Sequence, residues 1–293
     1  MDNFIVLYNP LAGNGTAQDK MRELESLMQG DRLYFSNMLD IRNYGAFFND
    51  MPDGASIIIC GGDGTLNRFL NDTEDIRPDC DIYYYPSGSG NDFARDIGAE
   101  RGAPPVLINR YIERLPKICV NGKEHRFING IGYGIDGYCC EKGDELRGKG
   151  KGEVNYTAIA IKGLLFHYKP TGATITVDGV EHRFEKVWLA PTMIGRYYGG
   201  GMMPTPEQDR LNGDGAVSVM VYYGSGKLKS LAVFPSIFKG EHIKHSEMVA
   251  VLSGRNITVC FDEPRPLQID GETVSGVREY SVTACEEKVL QPA

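Results

Sequence analysis

The feature that most constrains the fold is a unit that occurs twice between residues 57 and 97. In each copy a short apolar run, residues 57–60 and then 82–85, ends at a glycine-rich turn. Apolar residues spaced three and four apart follow each turn, at 66–70 and again at 93–97, which is the pattern of an amphipathic helix. Strand, glycine-rich turn and helix in alternation are typical of an open α/β sheet that binds its ligand at the carboxyl ends of the strands.

The N-terminus extends the same pattern. Residues 4–8 form a continuous apolar run that stops at Asn9-Pro10, and the polar stretch 18–28 is predicted to be a helix. We therefore predict a Rossmann-like open α/β domain over residues 1–118.

The pattern changes after residue 118. Short runs rich in β-branched and aromatic residues alternate with turns such as Asp178-Gly179 and Asp270-Gly271. One helical stretch, about 155–166, interrupts them. We predict a second domain over 119–275, a mainly antiparallel β-sandwich, with residues 276–293 returning to the first domain. The predicted strands are 127–131, 173–177, 187–191, 216–223, 257–261 and 279–284.

Composition excludes several classes of protein. The formal charge of −8 disfavours nucleic-acid binding, which requires clustered basic residues. Seven cysteines without a C-x-x-C pair argue against a disulfide scaffold and a zinc ribbon. No apolar run reaches the ~20 residues of a membrane span, and the N-terminus lacks the features of a signal peptide. We expect a cytoplasmic protein whose membrane contact is peripheral.

The first glycine-rich turn is a candidate phosphate-binding loop. Glycines allow the backbone to approach a ligand closely, and the N–H groups at the start of the following helix favour an anion. A carboxylate beside a phosphate implies Mg²⁺ between them. The alternative is a structural turn in which Asp63 or Thr65 caps the helix. The candidate residues are Gly61, Gly62, Asp63, Gly64, Thr65, Leu66 and Asn67.

A second turn, Pro86-Ser87-Gly88-Ser89-Gly90-Asn91-Asp92-Phe93-Ala94-Arg95, follows the neighbouring strand. The two segments together resemble the nucleotide-binding motifs of the diacylglycerol kinase catalytic-domain family, which also contains sphingosine and ceramide kinases. Gly-Gly-Asp-Gly-Thr is shared with NAD kinases, whereas Pro-x-Gly-x-x-Asn-Asp-Phe-Ala-Arg is much more specific to the lipid kinases.

The resemblance covers nearly the whole chain. It extends to Asn9-Pro10 with Gly13 and Gly15, and to segments 128–136, 198–204, 212–215 and 270–272. Two departures stand out: Ser89 replaces the usual Thr, and Arg68-Phe69 occupies a place where Glu-Val is common.

The family resemblance implies an NAD-kinase-like first domain, a β-sandwich second domain and an active site in the cleft between them. It also implies ATP and Mg²⁺ as cofactors. By this resemblance Asp270 is the base that takes the hydroxyl proton, with Glu272 supporting it. The remaining roles that it implies are nucleotide contacts from segment 61–67 and from Ser89, Asn91 and Asp92, catalytic Mg²⁺ at Asp63, Asp92 and Asp136, and a structural Mg²⁺ at Asp214 with the carbonyls of Leu211 and Ala216.

The expected activity is transfer of the γ-phosphate of ATP to a lipid hydroxyl, with diacylglycerol as the leading substrate and phosphatidic acid as the product. Three alternatives remain: a sphingoid or ceramide kinase, a soluble-substrate kinase like NAD kinase, and a catalytically silent lipid-binding protein. The expected partner is a lipid at a membrane surface, not a nucleic acid. The three basic residues Arg147, Lys149 and Lys151 either orient that contact or lie in a solvated loop, and a homodimer is left open.

Several other matches favour structure over function. Residues 132–137 fit the dinucleotide pattern G-x-G-x-x-G, but no helical pattern is evident after them. Residues 143–149 fit a phosphate-binding loop that lacks its Ser or Thr. His242 and His245 have no acidic or cysteine partners and are expected on a solvated surface. By sequence alone, the Asp-Gly turns at 214 and 270 are also explained as hairpin turns.

Overall fold

The computed structural model describes residues 2–10, 17–76, 78–88, 90–149 and 156–285. These residues form two compact units, the first ending at Arg114 and the second beginning at Leu115. Within the described residues, no helix is long and apolar enough to cross a membrane.

The first unit is built on a five-stranded sheet with the order β2-β1-β3-β4-β5. Its first four strands are parallel, and β5 is antiparallel to β4. The central strands read as continuous apolar runs because helices cover the sheet. The strands are β1 Asn3–Tyr8, β2 Arg32–Asn37, β3 Ser56–Gly61, β4 Ile82–Pro86 and β5 Val106–Leu107.

Five helices connect these strands. Leu24 of the first helix is fully buried in one core cluster with Val6 and Ile58, which lie on neighbouring strands. Leu66, Phe69 and Leu70 of the third are also fully buried, as their spacing predicts. The helices are α1 Ala17–Leu27, α2 Tyr44–Asn49, α3 Asp63–Asp72, α4 Asp92–Ile97 and α5 Asn109–Ile112.

The second unit is a ten-stranded, antiparallel sheet. Its longest strands, β14 and β15, form a hairpin whose register shifts between residues 260 and 267. Such irregularities increase local twist and bend a long hairpin. The strands are β6 Lys117–Val120, β7 Lys123–Arg126, β8 Gly130–Tyr133, β9 Thr171–Val177, β10 Val180–Val187, β11 Thr192–Met193, β12 Val217–Tyr222, β13 Val249–Gly254, β14 Asn256–Ile269 and β15 Glu272–Thr283.

Helical elements pack on this sheet around a core that includes Trp188 and Tyr198. The predicted helical stretch 155–166 is an α-helix that continues into a π-helical turn. The elements are α6 Ile135–Gly148, α7 Tyr156–Lys162, the π-helical Gly163–His167, α8 Lys227–Val233, and the 3-10 helices Phe234–Lys239 and Glu241–Lys244.

The predicted fold class, an α/β domain followed by an antiparallel β domain, is confirmed. The boundary lies four residues earlier than predicted, because β6 pairs with β15 in the second sheet. Residues 276–283 do not return to the first unit, since they form most of β15. Residues 286–293 of that predicted segment lie outside the described residues.

Two strand predictions and one helix prediction differ from the structure. Residues 187–191 mostly lie between β10 and β11, and of segment 127–131 only the last two residues are in β8. The helix α6, by contrast, follows directly after β8, where the sequence showed no helical pattern. Its three glycines interrupt the apolar periodicity in the sequence, although Ile135 and Cys139 on its apolar face are buried.

Candidate functional site

The two glycine-rich turns of the first unit touch each other through their backbones. A Cβ placed on Gly88 would overlap the Cα of Gly62, and one placed on Gly62 would lie 3.1 Å from the Cα of Gly88. The N–H of Ser87 also donates to Gly61 O at 2.9 Å. The expectation that both turns lie at neighbouring strand ends is therefore met, and glycine is required because only hydrogen fits between them.

The carboxylate of Asp63 joins the two turns. Its Oδ2 accepts the N–H of Asp92 at 2.8 Å and its Oδ1 accepts the N–H of Phe93 at 3.0 Å. Asp63 therefore caps the start of α4 in addition to lying in the first turn of its own helix α3. A Cβ on Gly90 would lie 3.6 Å from Asp63 Oδ2 and 3.9 Å from Asp92 Oδ2, so both carboxylates face the same point of the chain.

The start of α3 differs in detail from the sequence prediction. The helix begins at Asp63 with Gly62 as its N-cap, so neither Asp63 nor Thr65 caps it, and the N–H groups of Thr65 and Leu66 donate to Gly62 O. The N–H groups available to an anion at this helix start are therefore those just before them, at Asp63 and Gly64. Thr65 and Leu66 are buried, and a Cβ on Gly64 would meet nothing within 4 Å.

Two of the predicted nucleotide contacts have structural partners. Asn91 adopts a left-handed conformation, and its side-chain amide closes the turn on both the N–H and the carbonyl of Gly88. Asn67 accepts a hydrogen bond from Asn71 at 3.1 Å on the next turn of α3. Ser89, predicted to contact the nucleotide, lies outside the described residues.

Sequence analysis did not select Tyr84 as a candidate site residue. This tyrosine lies on β4 and is fully buried. Burial, followed by the charges of Asp63 and other nearby groups, raises the pKa of its hydroxyl well above the usual value. Within the described residues this hydroxyl has no hydrogen-bond partner. A buried tyrosine in a strand is read from sequence as core, so no pattern signalled it.

The pair Asp63 and Asp92 fits a magnesium ion that arrives with a nucleotide. Mg²⁺ typically takes one or two protein carboxylates and completes its shell with water and phosphate oxygens. No cluster of three or more metal-binding side chains occurs in the part of the chain that the structure describes. The pair is thus suited to an ion shared with a phosphate.

Asp270, the predicted proton acceptor, lies in the second unit at the tip of the β14–β15 hairpin. With φ of 45° at Asp270 and 97° at Gly271, the pair forms the two-residue turn that the sequence predicts. Its carboxylate accepts three backbone N–H groups, from Ile128 at 2.7 Å, Asn129 at 2.9 Å and Gly130 at 3.0 Å. Hydrogen bonds of this kind favour the ionised carboxylate.

Sequence analysis included the segment that holds Asp270 in the family resemblance, as part of 128–136, but did not predict this contact. Residues 128–130 provide those N–H groups just before and at the start of β8. Arg210 supports the same segment by donating to Ile128 O at 2.8 Å and to Asn129 Oδ1 at 3.3 Å. Glu272, the predicted supporting carboxylate, is exposed on the first residue of β15.

Asp136 lies in the first turn of α6, in the second unit, and has a protein partner. Gln268 donates to its carboxylate at 2.9 Å. Burial raises the pKa of Asp136 to about 6, and the hydrogen bond from Gln268 opposes this shift. Because one of its oxygens already accepts a protein donor, we assign magnesium to Asp63 and Asp92 alone, and the magnesium role of Asp136 stays a prediction.

The predicted structural magnesium set does not fit the geometry of its loop. The carbonyl of Ala216 accepts the side-chain amides of Gln208 at 2.9 Å and Asn212 at 2.8 Å, which uses both of its lone pairs. Asp214 is exposed, and its carboxylate accepts the N–H of Ala216. Leu211 lies in the same loop, where its N–H donates to the Asp209 carboxylate at 2.9 Å and the Asn212 amide donates to Asp209 O at 2.8 Å.

Residues 132–137 have a structural explanation, although a helix does follow them. A Cβ on Gly132 would overlap the Asp136 carboxylate, and one on Gly137 would overlap the carbonyl of Pro266 on β14. Gly134 has φ of 101° and precedes α6. The glycines permit close packing of the helix on an antiparallel strand, so no dinucleotide site is implied.

Comparison with protein families identifies both units. Residues 3–117 match the diacylglycerol kinase catalytic domain. Residues 129–286, more than half of the chain, match the YegS C-terminal NAD kinase beta sandwich-like domain.

Two named diacylglycerol kinases share more than a quarter of the aligned residues with this chain. A diacylglycerol kinase of Mycobacterium tuberculosis is 26% identical over 200 residues, which are 66% of this chain and 63%, less than two thirds, of that protein. A diacylglycerol kinase of Bacillus subtilis is 29% identical over 224 residues, 74% of this chain and 70% of the relative.

Solved structures agree on the fold. A putative diacylglycerol kinase from Bacillus anthracis superimposes with a TM-score of 0.67 at 19% identity, covering 97% of this chain and 92% of that one. At this identity the likeness supports the two-domain fold. The two family matches, which together span most of the chain, show that the chain belongs to the diacylglycerol kinase catalytic-domain family with a YegS-like C-terminal domain.

Proposed function

We propose that the protein is an ATP-dependent lipid kinase that transfers the γ-phosphate to a lipid hydroxyl, with diacylglycerol as the leading substrate. The observation that carries the proposal is the pair of touching glycine turns with the Asp63 and Asp92 carboxylates beside Gly90. Family membership and the named relatives support a lipid substrate.

The first unit supplies the phosphate-binding part of the proposal. Phosphoryl transfer requires positioning and charge neutralisation more than covalent help. The N–H groups at the start of α3 would hold phosphate oxygens, and Asp63 and Asp92 would hold Mg²⁺. When bound with ATP, that ion would neutralise the charge developing on the transferred group.

The second unit supplies the proposed proton acceptor. A carboxylate that already accepts three N–H groups is a weak base, but in a loose transition state the hydroxyl proton leaves late, so a weak base suffices. Asp270 would take this proton, and Glu272 would add negative charge beside it.

Gly64→Ala tests the phosphate-binding part. The new methyl group meets no protein atom and alanine favours a helix, so the fold should be retained. ATP affinity measured by calorimetry should fall at least tenfold because the methyl occupies the space of the phosphates. Gly226→Ala, at the start of α8 with equally open surroundings, is the control. Unchanged ATP affinity in Gly64→Ala would reject this turn as the phosphate site.

The substrate is decided by a labelled-ATP assay in mixed micelles. Diacylglycerol, sphingosine, ceramide and NAD are compared at equal concentration. We expect phosphatidic acid as the main product. Preferential labelling of sphingosine or ceramide would assign the chain to those kinases, labelling of NAD without detergent would favour a soluble substrate, and no labelling would favour a silent lipid-binding protein.

We further propose that peripheral membrane contact is made by a surface of the second unit around Phe166 and Leu228, here called the Phe166–Leu228 surface. Segments 156–177 and 215–240 contain five lysines and no Asp or Glu of their own, and one of these lysines, Lys229, pairs with Glu247 outside them. Phe166 is 72% exposed and Leu228 is 79% exposed. Lys227 donates to Leu165 O at 2.8 Å, so the two apolar side chains belong to adjoining elements. Exposed apolar groups among positive charges suit an anionic bilayer.

The basic cluster near residue 147 is less suited to this contact. Arg147 forms an ion pair with Asp144, and Lys151 lies outside the described residues. Sedimentation with vesicles of phosphatidylglycerol and phosphatidylcholine tests the Phe166–Leu228 surface. Phe166→Ser with Leu228→Ser should reduce binding at least fivefold, whereas Val180→Ser, also exposed, should not. Equal binding of both variants would reject this surface.

A further inference from the structure

The Asp270-Gly271-Glu272 turn is held from a second side by Gln268. This side chain is 3% exposed on β14. Its Oε1 accepts the N–H of Gly271 at 2.6 Å, and its Nε2 donates to Asp136 Oδ2 at 2.9 Å. One buried amide therefore connects the first turn of α6 with the tip of the β14–β15 hairpin.

The charge of Asp136 fixes which end of this amide faces the turn. An ionised carboxylate can only accept hydrogen bonds, whereas an amide has a donor end and an acceptor end. With Asp136 on one side, the NH₂ group of Gln268 must face it, and the carbonyl oxygen is left for the N–H of Gly271. The opposite orientation would place oxygen against oxygen and N–H against N–H.

The backbone around Gln268 leaves room for this arrangement. Gly132 lies opposite Gln268 in the antiparallel register. A Cβ there would overlap the carboxylate of Asp136 and would lie 2.6 Å from Gln268 Nε2. Glycine at position 132 thus allows the Asp136–Gln268 hydrogen bond to cross strand β8.

We propose that Gln268 is a positioning residue for the Asp270 turn and that Asp136 acts by orienting the Gln268 amide. The inference rests on the proposed function, because the turn matters for turnover only if Asp270 receives the proton. A proton acceptor has to share its lone pairs with substrate during the reaction. The bond from Gly271 to Gln268 holds the turn without using those lone pairs.

The test exchanges the two hydrogen-bonding partners. Gln268→Glu keeps an acceptor for Gly271 but sets a carboxylate against Asp136, which is repulsive. Adding Asp136→Asn restores a hydrogen bond with reversed polarity, since the new amide on α6 can then donate to the new carboxylate on β14. Gln208→Glu, the same substitution at a buried glutamine of the loop near Ala216, is the matched control.

Two measurements are made on each variant: kcat with KM for ATP, and hydrogen exchange of the Gly271 amide. We expect Gln268→Glu to lower kcat at least tenfold, to leave KM for ATP within twofold, and to speed Gly271 exchange. The double variant should regain slow exchange and at least a third of the wild-type kcat. The Gln208→Glu control should leave Gly271 exchange unchanged.

The outcomes separate this inference from the proposed function. If the wild-type protein phosphorylates no lipid, the proposed function is rejected, and the inference about turnover is rejected with it. The exchange data still show whether Asp136 and Gln268 hold the Gly271 amide. Gln268→Glu with unchanged kcat in an active protein would overturn the inference alone. A double variant that regains slow exchange without regaining kcat would also overturn it, because placement of the turn would not then set the rate.

Discussion

At the scale of the residue, the surroundings of Asp270 change how its role can be tested. Both of its carboxylate oxygens accept backbone N–H groups of the segment 128–130. An asparagine has the same volume but only one acceptor atom. Its NH₂ group would therefore face a backbone N–H, so the substitution that is conservative by shape is disruptive by hydrogen bonding.

We predict that Asp270→Asn lowers kcat by about 10²–10⁴ and also lowers the free energy of unfolding by about 1–3 kcal/mol. Urea melts and steady-state kinetics measure the two effects. Glu272→Gln is the comparison for stability because Glu272 is exposed, and it should unfold like the wild type. An Asp270→Asn protein as stable as the wild type would contradict the hydrogen bonding described for this turn.

At the scale of the element, helix α6 explains what sequence periodicity could not reveal. Three of its fourteen residues are glycine, which weakens the helical pattern and lowers intrinsic helix propensity by about 1 kcal/mol each. Tertiary packing outweighs this, because Gly137 lets the helix lie directly on the backbone of β14 at Pro266. The G-x-G-x-x-G pattern of residues 132–137 is therefore explained by the close packing of α6, not by a dinucleotide site.

Gly137→Ala should destabilise the second unit by about 1–3 kcal/mol, since the methyl group would overlap the carbonyl of Pro266 and force the helix away from the strand. Gly148→Ala, at the other end of α6 with nothing within 4 Å, should not destabilise the unit, because alanine favours a helix more than glycine does. Thermal unfolding of both variants measures the difference. Equal midpoints would mean that α6 does not depend on this close approach.

At the scale of the whole molecule, the sequence predicted what depends on local pattern. Apolar runs and glycine turns identified β1, β3, β4 and the helices after them, and Asp270-Gly271 identified its hairpin. Side-chain contacts between segments far apart in the sequence were not predicted: Asp63 with α4, and Asp136 with Gln268. Such pairs are set by tertiary packing, which a single sequence does not display.

His242 shows the same limit, because its expected solvated position is wrong. It is fully buried in a 3-10 helix, with Nε2 2.8 Å from Pro204 O. Within the described residues its Nδ1 has no hydrogen-bond partner. Burial lowers the pKa of His242 below the usual value of 6.5. Protonation would place an uncompensated charge in the core of the second unit.

The pH dependence of global stability follows from this histidine. Because its folded pKa lies below its unfolded pKa, the unfolded chain binds the proton first as the pH falls. The stabilising contribution is complete above the usual pKa of 6.5 and is lost progressively below it, down to the folded pKa.

His242→Gln keeps an N–H donor for Pro204 O but does not titrate. We therefore predict that, between about pH 7 and pH 5, its thermal midpoint falls less than that of the wild type. The exposed His125, changed to glutamine, should leave the wild-type profile in place, and a His242→Gln profile parallel to the wild type would show that the acid sensitivity originates in other groups.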